Sequence, residues 1–193
     1  MPAIPALTAT LGDGQVELRL AAERDIPEVL IAFQDDPELH LRLGLDRPPS
    51  GAQLGSQAEE AQARREGGRG VELTILEPGS DVCRGRVNVH RIDWKHRRAE
   101  LGLWLVPQAR GRGWAPRALH LAARWLLSDC GIDRVEVQTE PDNDAMVHTA
   151  VRAGFVREGV LRSYLLERGG RVDVVMFSLI PSDPPPEGTE TQP

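Results

Sequence analysis

The run Pro107-Gln-Ala-Arg-Gly-Arg-Gly-Trp-Ala115 sets two glycines, Gly111 and Gly113, directly before a helical pattern. Glycine admits positive φ and close approach to the main chain. The first turn of the following helix presents unpaired N–H groups at the positive end of its dipole. That chemistry suits an anion, and a diphosphate in particular. Two familiar phosphate loops do not fit. A P-loop needs Gly-Lys-Ser/Thr, whereas Gly113 is followed by Trp114 and Ala115. The dinucleotide fingerprint Gly-x-Gly-x-x-Gly has Pro116 where its third glycine belongs. A plain turn into a helix competes with the anion reading, because short glycine patterns recur by chance.

Glu100 lies in AELGLWLV (99–106), where alternation places it on one face with Gly102 and open space beside it. A carboxylate so placed can take a proton from an attacking ammonium, directly or through a water. The competing reading is a surface glutamate paired with Arg97 or Arg98. His40, His90, His96, His120 and His148 lack metal-ligand spacing and read as structural or surface residues, so no metal is expected. Cys83 and Cys130 are too few for a disulfide framework, and neither sits in a motif that would lower its pKa.

The elements that must position these groups follow from periodicity. Residues 16–20, 71–76, 85–92, 99–106, 135–139, 155–166 and 172–180 read as strands, the last two joined through Gly169-Gly170. Asp25-Ile-Pro27-Glu28 reads as a helix start; short helical pieces then run to Gly44, and a polar helix spans 52–66. In 114–130 the apolar residues Ala118, Leu119, Ala122, Trp125 and Leu126 recur at helical spacing, and 142–153 forms a shorter helix stopped by Gly154. The pattern is that of a mixed-sheet α/β domain over 15–180. Residues 1–14 read as a loose arm, and 181–193, with five prolines, as a disordered tail.

At 193 residues the chain suits one core. The net charge of −6 argues against a nucleic-acid binder and leans weakly towards a cationic partner. No apolar run approaches ~18 residues and no signal peptide is read, so a reduced, cytoplasmic protein without membrane partners is expected. Lys95 is the only lysine, so an isolated arginine is a poor functional flag.

Residues 98–115, RAELGLWLVPQARGRGWA, resemble the acetyl-CoA-binding segment of the GNAT acyltransferase superfamily, whose signature is Gln/Arg-x-x-Gly-x-Gly/Ala. Residues 140–162 resemble that family's second segment: Asn143 opens a helix that ends in Gly154-Phe155, and Glu158-Gly159 follow. The spacing is most similar to the branch that includes the ribosomal-protein N-terminal acetyltransferases. The resemblance covers about 16–180, with the specific motifs confined to 98–162. It implies a single GNAT-like α/β (α+β) domain with helices on both faces. Its mixed, mostly antiparallel seven-stranded sheet splays between the fourth and fifth strands, 99–106 and 135–139.

The same resemblance implies a site. The CoA arm would lie in the splay against Leu103, Trp104, Leu105 and Val106, with a strand N–H near Leu105 for the oxyanion. Gln108, Arg110, Gly111, Arg112, Gly113, Trp114 and Ala115 would hold the pyrophosphate, and Asn143 would hydrogen-bond the arm unless it is only a helix cap. Glu100 matches the family's strand glutamate. Where relatives carry Ser or Tyr to protonate the thiolate, this chain has Met146 and Ala150, and Tyr164, the only tyrosine, is the substitute. The expected activity is acetyl transfer from acetyl-CoA to a primary amine, a small molecule or a protein N-terminus, directly within a ternary complex. A non-catalytic CoA-binding module and a longer donor such as succinyl-CoA stay open. So does a homodimer, dimers being common in the family.

Overall fold

The computed structural model describes residues 3–167 and 169–186 of the chain. Its elements run β1 (Leu11–Gly12), β2 (Glu17–Leu20), α1 (Ile26–Asp35), α2 (Leu39–Arg42), α3 (Gly51–Glu66), β3 (Val71–Leu76), β4 (Gly85–Asp93) and β5 (Arg98–Leu105). They continue α4 (Trp114–Asp129), β6 (Arg134–Thr139), α5 (Asp144–Arg152), β7 (Val156–Glu167) and β8 (Gly170–Leu179). One sheet holds all eight strands in the order β1-β2-β3-β4-β5-β6-β8-β7. Only β5 and β6 run parallel, because α4 carries the chain back across the sheet between them.

Pleat divides the sheet into two unlike faces. Leu73, Ile75, Val87, Val89, Ala99 and Leu101 point one way and are essentially fully buried. The α4 stripe foreseen from spacing, Ala118, Leu119, Ala122, Trp125 and Leu126, is buried in the same core, joined by Ala123. The other face is polar: Glu72 pairs with Asn88, Asn88 with Gly102, and His90 with Glu100. Trp104 also belongs to that face, and Phe33 of α1 meets its ring at 6.4 Å between centroids, so α1 covers the polar side. α1 is seated by Asp25, 1% exposed, which accepts from Arg19 at 2.6 Å and from the Thr74 hydroxyl at 2.6 Å.

Eight strands stand where seven were read, and the additional one comes from the supposed arm. Leu11 and Gly12 pair with Leu18 and Glu17, across a turn in which the Asp13 carboxylate accepts the amides of Gln15 and Val16. Ile4 is wholly buried and its amide donates to the Arg65 carbonyl. The arm is therefore docked; its widely spaced apolar residues give no periodic signal, yet each has a place to pack. Of the proline-rich tail, 187–193 lie outside the described residues, while a Cβ at Gly154 would stand 3.3 Å from the Pro186 ring. Among the described residues no helix is long and apolar enough to cross a membrane.

Leu119 is completely buried on the α4 stripe. Leu119→Ala is expected to lower the free energy of unfolding by about 2–5 kcal/mol, through lost transfer energy and a residual cavity. Ile31→Ala, at a position 52% exposed on α1, should change it by less than about 0.5 kcal/mol. Urea titration of both variants checks the orientation of the two helices.

Candidate active site

The pairing of β5 with β6 covers three positions, Arg98 with Arg134, Ala99 with Val135 and Glu100 with Glu136, and then stops. Each strand continues along its outer neighbour: β5 follows β4 to Leu105, and β6 follows β8 to Thr139. A wedge opens between them. Residues of an antiparallel strand alternate between bonding one neighbour and facing the other. Val106 donates its N–H to Arg84, so the main chains of Gly102, Trp104 and Val106 turn towards β4. Those of Leu101, Leu103 and Leu105 turn into the wedge. Two expected contacts are corrected by this parity: the amides of Trp104 and Val106 are not available to a ligand. Trp104 still lines the wedge with its ring, whereas Val106 is outside the lining.

The wedge broadens into a cleft of about 1230 Å³, lined among others by Glu100, Leu103, Trp104, Leu105, Arg110, Gly111, Gly113, Trp114, Ala115 and Asn143. At its mouth stands the N-terminus of α4. Gly113 is the capping residue, at φ 76° and ψ 9°, and no side chain caps the helix. α1 and α2 also lack a side-chain cap, whereas the Ser50 hydroxyl accepts the Gln53 amide at the start of α3 and Asn143 Oδ1 accepts the Met146 amide at the start of α5. Among the described residues no side chain takes the first-turn donors of α4. A Cβ added at Gly111 or Gly113 would meet nothing within 4 Å, so the loop opens onto free space. A diphosphate has room here and bare amides to receive it.

Three members of the expected phosphate set are occupied. Arg110 folds back, donating to the Leu105 carbonyl from Nε at 3.1 Å and from Nη2 at 3.0 Å, and pairing with Asp36. Gln108 lies outside the lining and donates to Asp35 at 2.9 Å. Arg112 also lies outside it, with its guanidinium 5.5 Å over the Trp114 ring. Asn143 lines the cleft while acting as a cap, so its two readings coexist: the oxygen holds the helix and the amide nitrogen remains for a ligand.

Glu100 sits on the cleft floor, 7% exposed. Burial pushes its carboxyl above the usual glutamate range, partly opposed by the charge and hydrogen bond of Arg91 and reinforced by Glu136. Arg91 Nη1 donates to Glu100 at 3.0 Å, and His90 Nε2 lies 4.0 Å from the other oxygen. His90 is the residue sequence reasoning missed. Burial, aided by the Arg91 charge, pulls its pKa down, so it stands neutral beside Glu100. It reaches that position by regular alternation, on one face with Arg86 and Asn88 in a register unbroken from Gly85; the slip comes only after it, between His90 and Asp93, where Arg91 adopts φ 48°.

Tyr164 is not brought to the site. It is 46% exposed on β7, beyond the cleft lining, and register slips along β7 defeat any count of its face. Met146 lines the cleft, Ala150 is fully buried, and neither can donate a proton. His148 is an exposed residue at the cleft edge. Burial raises Cys83 to about 11 and Cys130 to about 12, which leaves neither as a thiolate at neutral pH. Among the described residues no group of three or more His, Cys, Asp or Glu could hold a metal ion.

Comparison with known proteins gives this geometry a family. Residues 15–156 match the acetyltransferase (GNAT) domain model. The Bacillus subtilis protein named uncharacterized N-acetyltransferase YoaA is 27% identical over 163 residues, 84% of this chain and 92% of its own. Among solved structures, the ribosomal-protein-S5-alanine acetyltransferase from Vibrio fischeri superposes with a TM-score of 0.78 at 17% identity, covering 91% of this chain and 98% of that one. Mycobacterium smegmatis RimJ, solved with a CoA disulfide, gives 0.77 at 22% identity, covering 94% and 90%. The chain, with its wedge between parallel β5 and β6, thus belongs to the GNAT acetyltransferase family.

Proposed function

We propose that the protein transfers an acetyl group from acetyl-CoA directly to a primary amine, both substrates being bound in the one cleft. The observation that carries the proposal is the placement of a buried carboxylate, Glu100, on the floor of a wedge whose open end meets a helix N-terminus without a side-chain cap. The amides of Gly111 to Ala115 receive the diphosphate of CoA. The main chain of Leu103 and the N–H of Leu105, whose carbonyl is held by Arg110, bond its arm along the strand edge, and one of these N–H groups stabilises the charge developing on the acetyl oxygen. Asn143 supports the arm from the other wall.

Glu100 accepts the proton that an ammonium must lose before its nitrogen can attack the thioester carbon. The N–C bond forms, the C–S bond breaks, and the electron pair leaves on sulfur. Burial fits Glu100 for this, since a carboxyl raised above the usual range is a stronger base. His90, neutral and beside it, can relay that proton. The leaving thiol has an ordinary pKa of about 8.5, so the proton returned from Glu100 or from water suffices, and Met146 and Ala150 need supply none. A CoA-binding module without catalysis is the contrasting reading, favoured by those two residues.

Calorimetric titration with acetyl-CoA tests the donor half. Gly111→Trp fills the loop's free space and should weaken binding by about tenfold or more, with the thermal midpoint as a control for folding. Equal affinity in both proteins would refute the phosphate site.

The acceptor half is tested by thiol release across pH. Glu100→Gln should cost about 10²–10⁴ in kcat/KM and abolish the acid limb while leaving acetyl-CoA affinity unchanged. In the wild type that limb lies above the ordinary glutamate value, because burial raises Glu100. Arg91 lowers the same group, so Arg91→Ala must move the limb to higher pH. A limb that stays put, or shifts to lower pH, removes Glu100 as the base.

A further inference from the structure

The cleft has a second half beyond Glu100, under α1, α2 and α3, where the chain supplies arginine rather than carboxylate. Arg42, Arg47, Arg86 and Arg91 all line it. Of the acids lining the cleft, Glu140 and Asp142 stand between β6 and α5, and Glu72 on β3 has both oxygens taken, by Arg86 at 2.6 Å and by Arg64 at 3.8 Å. Arg42 is paired with Asp36 and Glu38, and Arg91 keeps a half-exposed guanidinium with Nη1 on Glu100. Arg47, exposed on the loop between α2 and α3, has no ion pair or hydrogen bond among the described residues. Deeper in, two buried polar atoms lack partners: Arg86 Nε, on a side chain 9% exposed, and Asn88 Oδ1. Phe33, Leu39 and Leu54 supply apolar wall.

Resting on the transferase reading, we infer that the acceptor is an amine that carries its own carboxylate next to the nitrogen, a free α-amino acid with an apolar side chain. Its ammonium faces Glu100 and its carboxylate faces Arg91, so the zwitterion lies head to tail against that ion pair. Arg47 closes over the carboxylate from the loop. Guanidinium groups hold carboxylates through paired N–H donors, which an ammonium-bearing chain cannot match. Under α1, α2 and α3 a polyamine would meet the like charge of Arg42, Arg47 and Arg86, while Glu72 there is already paired. A peptide N-terminus would lose the carboxylate and leave Arg47 unpaired. The overall charge of −6 points towards a cation, but the cleft's own lining has the opposite sign.

The test is thiol release from acetyl-CoA with apolar amino acids, their carboxamides and spermidine as acceptors. For the preferred side chain the free acid should exceed its amide by about tenfold or more in kcat/KM. Arg47→Ala should narrow that ratio chiefly through KM for the acid, with the affinity for acetyl-CoA and the rate with the amide unchanged. Equal or better use of the amide, or a preference for spermidine, overturns the acceptor class and leaves the transferase reading standing. A ratio that survives Arg47→Ala overturns the role of Arg47. If no amine of any class releases thiol while calorimetry still detects acetyl-CoA, the transferase reading falls, and this inference with it.

Discussion

Everything at this site depends on two strands that begin as hydrogen-bonded partners and then part. Had β5 and β6 stayed zipped past Glu100 and Glu136, the main chains of Leu103 and Leu105 would be bonded by β6. Instead β4 holds β5 on one side and β8 holds β6 on the other, so the inner edges are fixed in place without being paired. Unpaired main-chain groups inside a protein are costly unless something bonds them. Here the vacancy runs along an extended edge, the shape that a second strand or a strand-like ligand arm completes. The same parting puts the α4 amides at the wide end and Glu100 at the narrow end. The proposed anion site and the proposed base thereby stand at opposite ends of one groove.

Charge is distributed against the average of the molecule. Acids outnumber bases in the chain, yet the cleft half under α1–α3 is lined by arginines, and its acid Glu72 is neutralised by Arg86 and Arg64. Glu100 is therefore isolated in function as well as position. Burial raises it, Arg91 keeps it from rising far, and Glu136 across the sheet is held by Arg134 at 2.7 Å. A carboxylate that must release and regain a proton needs this balance: fully solvated it would be a weak base, and fully desolvated it would stay protonated.

What could be read from residues alone was the part governed by the main chain. The Gly111-x-Gly113 turn, the α4 stripe and the strand carrying Glu100 are local patterns, and each stands where spacing put it. Side-chain placements that depend on strand parity held only where the strand is regular. Glu100 follows from alternation along an unbroken β5. The face of His90 follows likewise from alternation with Val87 and Val89, but its cross-strand partner does not, because the slip between His90 and Asp93 decides which β4 residue stands opposite Glu100. Tyr164 fails outright, two register slips having occurred along β7. Gln108 and Arg112 carry the right types at the right spacing but are spent on Asp35 and on the Trp114 ring. The docked arm was invisible because Leu11 and Gly12 make a strand of two residues.

Those spent residues have a structural use that joins the two halves of the cleft. α1 ends in Asp35 and Asp36, which bind Gln108 and Arg110 of the phosphate loop, and Asp36 also binds Arg42 on the wall of the arginine-lined half. Burial alone would raise the Asp36 carboxyl, but the bonds from Arg110 and then Arg42 outweigh it and hold it below the usual range. The carboxylate is thus charged throughout the neutral range and shared between one arginine facing each ligand. Asp36 thereby ties Arg110, before α4, to Arg42, on α2, so the cover over the cleft and the loop at its mouth are fastened at a single point.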